Sequence, residues 1–374
     1  MANPFVFEEL AVGENFCGRR VEINKIKRLV SDKKNVLLFS RRRYGKSSLV
    51  KELFESHLPD KDYITVYVDL YEILNEKDFA RLFYTAAANA MRFSAKTAIK
   101  NLFKYFKRVN FSFTLGEDGS PSLSPTLAGR DFDELLQDAF GGLAQYAKDK
   151  KVKVVVAFDE FQQVALISEK RIDATIRKYV QKSDGLCYIF SGSKRHILTQ
   201  LFSDYGSPLY NMATGIELKG IDPDAFYKFC NERLKGRLSR EAFDVLYQQA
   251  DGESELIQQA AYYLYYQSKK RLNESDVEAA LLKIVKAYDG SCRLLFDGLT
   301  RPQKIALKAI AIFRGEGMFS KDSLAELDTT KQSLLSALKA LMKRETVSKE
   351  SARYVINDRK LELWCRYLYT GRIA

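Results

Sequence analysis

The sequence predicts an α/β fold: a parallel sheet flanked by helices, followed by an all-helical stretch and a small mixed module. Three observations carry this. Short apolar runs alternate with helical patterns up to about residue 218. One of them, Val154-Val155-Val156-Ala157-Phe158, is unbroken, as a strand buried on both faces of a parallel sheet requires. From Asp222 the strand-like runs stop, and apolar residues recur at helical spacing.

In chain order, Ile23, Ile26, Leu29 and Val30 mark a first helix, and Val36–Phe39 a first strand. A helix over Ser47–His57 buries Leu49, Val50, Leu53 and Phe54. In YITVYVDLYE, Ile64, Val66 and Val68 alternate into Asp69 as a second strand. Asp78–Phe106 reads as one helix. NFSFTLGEDGSPSLSPTL, with its Gly- and Asp-rich turn, reads as a hairpin inserted at about 108–130. Helices at Asp131–Lys148 and Arg171–Lys182 flank VKVVVAFDEF, LCYIFSGSKRH supplies a further buried strand, and Gly215–Leu218 a fifth.

Asp222–Lys235, Arg240–Gln249, Glu255–Gln267 and Glu274–Ala287 are expected helices, the last starting at Asn273-Glu274-Ser275-Asp276. Helices at Gln303–Phe313, Lys321–Leu327 and Thr330–Lys343 precede a β element at Val347 and Tyr354–Ile356. That order is the winged-helix variant of the helix-turn-helix. The expected domains are therefore 1–218 (sheet core), 219–292 (helical lid) and 293–374 (winged helix).

A chain of 374 residues favours two or three domains, and 46% hydrophobic with 29% charged residues is an ordinary globular composition. The net charge of +12 points to phosphate-bearing or acidic partners, or to a lysine-rich solvated surface. Five scattered cysteines, none in C-x-x-C spacing, argue against a disulfide framework or zinc site and fit a reducing cytoplasm. Two histidines, His57 and His196, leave little material for histidine chemistry. No run is long enough to span a bilayer, and the first residues carry no leader pattern.

The chemistry concentrates at strand ends. NVLLFSRRRYGKSSL is a strand, a basic turn, Gly45-Lys46-Ser47 and a helix, the layout of a phosphate-binding loop. Lys46 is the candidate phosphate clamp and Ser47 the candidate Mg²⁺ ligand. The pattern G-x-x-x-x-G-K-[ST] has Ser40 in place of its first Gly, a substitution expected to cost about 1 kcal/mol if φ there is positive. Asp159 and Glu160 end the strongest strand. Nucleotide hydrolysis needs such a pair, Asp159 for the Mg²⁺ shell and Glu160 as general base toward water. At the next strand end Ser193, rather than Ser191, is placed to meet a γ-phosphate or the water. Arg41-Arg42-Arg43 reads as added charge near the phosphates, an arginine finger acting in trans, or a solvated basic turn. His196 reads as a packed residue at a helix start.

FCGRRVE, SRRRYGKSSL, VVVAFDEF, FSGSKRH and LFSDYGSPLYNMATGIELKGI together resemble the archaeal/bacterial ATPase family of the STAND class, within the AAA+ P-loop ATPases, over nearly the whole chain. The resemblance implies a P-loop NTPase (AAA+-like) core with helical lid and winged helix, using ATP/ADP and Mg²⁺. By that resemblance F-x-G-R-x-x-E, here Phe16, Gly18, Arg19 and Glu22, cradles the adenine, and Arg43, Tyr44, Gly45, Lys46, Ser47 and Ser48 surround the phosphates. Departures are Ser40, Asn211-Met212 after Tyr210 where Gly-Arg is common, and Gly252-Glu253-Ser254 in place of G-x-P. They bear on hydrolysis rate and switching more than on binding.

Two functions follow as expectations. One is a slowly hydrolysing Mg²⁺-dependent ATPase acting as a nucleotide-controlled switch, with a protein partner or a second copy of the chain. The other is a winged-helix protein that binds duplex DNA while its nucleotide is structural, with Lys331, Gln332, Lys339, Lys343 and Arg344 facing the DNA over a core of Leu334, Leu335, Leu338, Leu341 and Met342.

Overall fold

The computed structural model describes residues 3–91, 98–115, 121–127, 129, 131–167, 172–182, 185–350 and 352–373. The chain divides into two compact units, one of residues 19–41 and 46–218, the other of residues 1–18, 42–45 and 219–374.

The first unit runs α1 (Arg20–Ser31), β1 (Val36–Phe39), α2 (Lys46–Glu52), β2 (Tyr63–Asp69), α3 (Glu76–Ala90), α4 (Ala98–Tyr105), β3 (Asn110–Leu115), β4 (Pro121–Thr126), α5 (Phe132–Lys150), β5 (Lys153–Asp159), α6 (Ile172–Lys182), β6 (Leu186–Gly192), α7 (Arg195–Ser203) and β7 (Thr214–Glu217). Five strands form one parallel sheet in the order β2-β5-β6-β1-β7. Its centre is where the unbroken apolar runs lie: every residue of β6, and all of β5 after Lys153, is buried. Parallel pairing brings the carboxyl ends of all five strands to one edge, the usual ligand side of such sheets. One strand, β6, separates β1, which leads into the Gly-Lys-Ser turn, from β5, which ends in the carboxylates.

Aromatic packing fixes the acid-bearing strand end. Phe158 stacks on Phe79, Tyr188 and Phe190 with ring centroids 5.5, 6.5 and 6.1 Å away. The expected hairpin forms as β3–β4 with Phe113 opposite Leu123, and its turn at 116–120 lies outside the described residues. The long helix expected over Asp78–Phe106 is instead two, α3 and α4. Asn75 caps α3 from the N-terminal side, and Met91 leaves the helix in extended conformation. Residues 92–97 lie outside the described residues, as does the expected helix start at Arg171. Past Glu52, α2 widens into a π turn over Leu53–His57.

The second unit contains α8 (Pro223–Arg233), α9 (Arg240–Ala250), α10 (Ser254–Tyr265), α11 (Glu274–Ala287), α12 (Asp289–Asp297), α13 (Arg301–Phe313), α14 (Lys321–Glu326), α15 (Lys331–Lys343), the antiparallel pair β8 (Val347–Glu350) and β9 (Arg353–Ile356), and α16 (Arg359–Thr370). Starts follow capping chemistry: Asp222 before Pro223, Ser239 on Ala242, and a capping box of Asn273 with Asp276. One apolar core runs through it, from Phe226 and Phe243 to Leu338, Leu341 and Trp364. Met342, expected in that core, is 39% exposed, whereas Leu334, Leu338 and Leu341 are buried. The unit also holds two helices with no counterpart in the sequence reading, α12 and α16. Among the described residues no helix is long and apolar enough to cross a membrane.

Candidate functional site

In the sheet unit, the sequence-predicted Ser47 and Asp159 come together. Ser47 Oγ donates to Asp159 Oδ2 at 2.5 Å. The same oxygen accepts from Tyr67 OH at 2.6 Å, while Oδ1 accepts from Ser191 Oγ at 2.6 Å and from the Glu160 amide at 3.0 Å. The register produces this cluster, since Asp69 lies beside Asp159 on the pleat and Phe158 beside Phe190, so Tyr67 and Ser191 flank the acid from neighbouring strands. Burial pushes the Asp159 carboxyl up. The hydroxyls of Ser191, Ser47 and Tyr67, with the Lys46 charge, outweigh burial and hold it below its usual range. Lys46 opens α2 and is 5% exposed, a buried cation at a helix N-terminus.

Glu160 is held by different means. Its backbone is left-handed (φ 49°, ψ 40°) between two fully buried rings, Phe158 and Phe161. Phe161 packs on Phe190 and Phe202 at 4.6 and 5.8 Å, so the turn cannot relax without pulling a ring from the core. Ser193 Oγ donates to Glu160 Oε2 at 3.1 Å, and Gln162 Nε2 donates to the same oxygen. The two candidate serines thus divide between the two acids, Ser191 on Asp159 and Ser193 on Glu160.

Ser40 does not carry the strain anticipated for it. It is absent from the residues with positive φ, is 6% exposed, and its Oγ donates to the carbonyl of Arg41 at 2.6 Å. The left-handed positions of this loop fall later, at Arg43 (φ 63°) and Gly45 (φ 81°). Arg19, buried and left-handed (φ 64°), starts α1 and donates to Glu22 Oε1 at 3.0 Å. His196 is exposed rather than packed.

The other candidates lie in the second unit. Phe16 is half-buried, and a Cβ added to Gly18 (φ 68°) would meet Ile221 Cγ2 at 2.9 Å, so this position admits only glycine. Arg43 is not a free basic turn: it donates to Asp358 Oδ2 at 3.0 Å and lies 3.5 Å from Glu255. Its carbonyl accepts from Ser254 Oγ at 3.0 Å, and Tyr44 OH donates to the Asp251 carbonyl at 2.6 Å. Close by is Glu253, 4% exposed, whose Oε1 has no hydrogen-bond partner among the described residues. Burial raises its carboxyl to about 8, against the lowering effect of Arg43 and Lys360.

Tyr67, Gln162, Glu253 and Asp358 were missed by sequence reasoning. Tyr67 sits two residues before Asp69, on the face opposite Val66 and Val68, so the alternation of β2 placed it without assigning it a partner. Gln162 lies two residues after the acid pair, beyond Phe161, the one local signal for it. Asp358 needed α16 to be recognised, because it caps that helix by accepting from the Leu361 amide at 3.1 Å.

Among the described residues no three His, Cys, Asp or Glu side chains are arranged to hold a metal ion. The hydroxyl of Ser47 and the ionised carboxylate of Asp159 are nevertheless hard oxygen donors, the kind Mg²⁺ takes when a phosphate supplies the other ligands.

A family model described as an ATPase domain predominantly from Archaea matches residues 16–260. Among solved structures, a Walker-type ATPase of Pyrococcus abyssi is similar, with a TM-score of 0.65 and 19% identity over 97% of this chain and 99% of that one. The Aeropyrum pernix ORC2 protein, solved as ADPNP–ADP complexes, has a TM-score of 0.53 and 14% identity over 98% of each chain. No curated protein matches by sequence. At these identities the two structures establish a shared AAA+-like P-loop fold.

Proposed function

The chain belongs to the family of ATPase domains found predominantly in Archaea, and from that premise we propose that it binds ATP with Mg²⁺, hydrolyses it slowly and uses it as a regulatory switch. The observation that carries this reading is the convergence of Ser47 on Asp159 at 2.5 Å, with Glu160 next in the chain and turned out of the strand. Lys46, buried at the start of α2, supplies a fixed positive charge for phosphate oxygens. Ser47 and Asp159 would hold Mg²⁺, which when bound neutralises charge on the phosphates. Asp159 is suited to this because its hydrogen bonds keep it ionised. Glu160 accepts a proton from the attacking water, and Ser193 holds the carboxylate that does so. Phe16, Gly18 and Arg19 belong to the reading as the adenine cradle, and Arg43, Tyr44, Gly45 and Ser48 as the remainder of the phosphate loop.

The regulatory part of the proposal rests on Arg43. This loop residue is tied to Asp358, which caps α16, and helices α13 to α15 with the β8–β9 hairpin follow the order of a winged helix. A change in the loop on nucleotide binding then acts directly on the helix that closes this module, in the manner of a STAND-class switch.

Lys46→Ala is expected to abolish ATP binding in a direct titration, and Glu160→Gln to keep binding while losing turnover. Turnover by Glu160→Gln at the parent rate removes Glu160 as the base.

A second reading, duplex DNA binding, is favoured by one observation. Lys331, Gln332, Lys339, Lys343 and Arg344 are all exposed on or beside α15. In that reading the nucleotide is structural.

A further inference from the structure

Gln162 is the least expected polar residue of the sheet unit. It is 1% exposed, in the turn Phe161–Ala165 that follows the acid pair. Its Nε2 donates to Glu160 Oε2, and its Oε1 is buried with no hydrogen-bond partner among the described residues. A Cβ added at Gly192 would overlap that Oε1, so the amide occupies space that only a glycine at the end of β6 leaves open. A buried acceptor without a donor is destabilising, and a methionine of similar size would avoid it. Stability alone therefore does not account for glutamine here.

We propose that Gln162 is a positioning residue for hydrolysis, fixing which oxygen of Glu160 faces the attacking water. The proposal rests on the ATPase reading above. A carboxylate on a rotatable side chain can present either oxygen, and a general base must keep one within about 3 Å of the water. Gln162 Nε2 and Ser193 Oγ both donate to Oε2, from the turn after β5 and from the end of β6. Two donors on one oxygen orient the carboxylate plane and leave Oε1, to which no described residue donates, as the proton acceptor. Ser193 alone leaves rotation about its own bond. Gln162, enclosed beside Gly192, has no such freedom.

The test uses the full chain with ATP and Mg²⁺ in single-turnover hydrolysis, together with direct ATP titration. Gln162→Met keeps the volume and removes the donor. It is expected to slow hydrolysis about tenfold or more while ATP affinity stays within about twofold. Combined with Glu160→Gln it should cause no further loss, because Gln162 acts only through Glu160. If Gln162→Met does not fold, Gln162→Asn keeps the amide but shortens its reach and carries the same expectation. Parent-like hydrolysis by the variant overturns the proposal, as does a parallel loss of ATP affinity or a loss that adds to that of Glu160→Gln. A parent protein that binds ATP and never hydrolyses it overturns the hydrolytic reading itself, and this proposal with it.

Discussion

The phenol of Tyr67 donates to Asp159 Oδ2 at 2.6 Å, on the oxygen that also accepts from Ser47. Burial, and then the Asp159 charge, push the Tyr67 hydroxyl well above its usual range, so it stays a donor at any working pH. Asp159, by contrast, is held low, and its hydrogen bonds contribute stability above the unfolded carboxylate value near 3.8 that is lost as pH falls through the lower folded value. Tyr67→Phe keeps the ring under Lys51 Nζ, 4.2 Å from its centroid, and deletes only the donor. The variant should lose about 1–3 kcal/mol in denaturant unfolding at pH 7, and the deficit should shrink below pH 4 as Asp159 protonates. Its hydrolysis should need more Mg²⁺ for half-maximal rate. Equal stability at pH 7 would mean the phenol does not hold the acid.

Glu253 gives a pH dependence of the opposite sign. Its carboxyl is raised from 4.5 to about 8, chiefly by burial, with Asp358 and Glu255 adding to the rise and Arg43 and Lys360 opposing it. A raised folded value means the stability is full below about 4.5 and is lost as pH climbs toward 8. Glu253→Gln removes the titration. The variant should gain on the parent by at most about 1.4 kcal/mol per pH unit across that window, and level off above it. Arg43→Ala should extend the parent's loss to higher pH, since it withdraws a charge that keeps Glu253 low. Thermal midpoints of the three proteins from pH 5 to 9 measure both effects, and parallel curves for parent and Glu253→Gln would exclude the titration.

How much of this was legible in the sequence follows from where side chains point. β5 and β6 announce themselves because burial on both faces demands unbroken apolar runs, and the acids at the end of β5 are local to the chain. The hairpin, the helical stretch and the helix start at Asn273 were also readable from turn and cap chemistry. Helix α16 was not. Residues 360 to 366 are all buried, including Lys360, Glu362 and Arg366, so no polar stripe marks a solvent face. Those charges read as solvated until their partners are known: Lys360 Nζ lies 2.8 Å from Glu255, and Arg366 donates to Glu362 at 2.6 Å and to Gln249 at 2.9 Å. The break after α3 was hidden for the converse reason, since apolar and basic residues on both sides keep a helical spacing. Ser40 could be named from the motif, but its strain could not, because φ is set by the whole loop and the left-handed turns fall at Arg43 and Gly45.

The basic face of α15 separates the two functional readings by salt. Lys339 and Arg344 are exposed, while Leu338 and Leu341 beside them are buried, so either cation can be removed without touching the core. If duplex DNA binds here, affinity falls steeply with salt because each phosphate contact releases counterions. Lys339→Ala and Arg344→Ala should then each weaken binding to any sequence alike and lower the slope of log K against log salt by about one. Gln332→Ala should leave the slope unchanged and alter preference among sequences, since an amide reads a base edge rather than a phosphate. Both follow from fluorescence anisotropy on labelled duplexes between low and moderate salt. Failure to bind any duplex at low salt eliminates the DNA reading, and Lys46→Ala then remains the decisive variant for the switch.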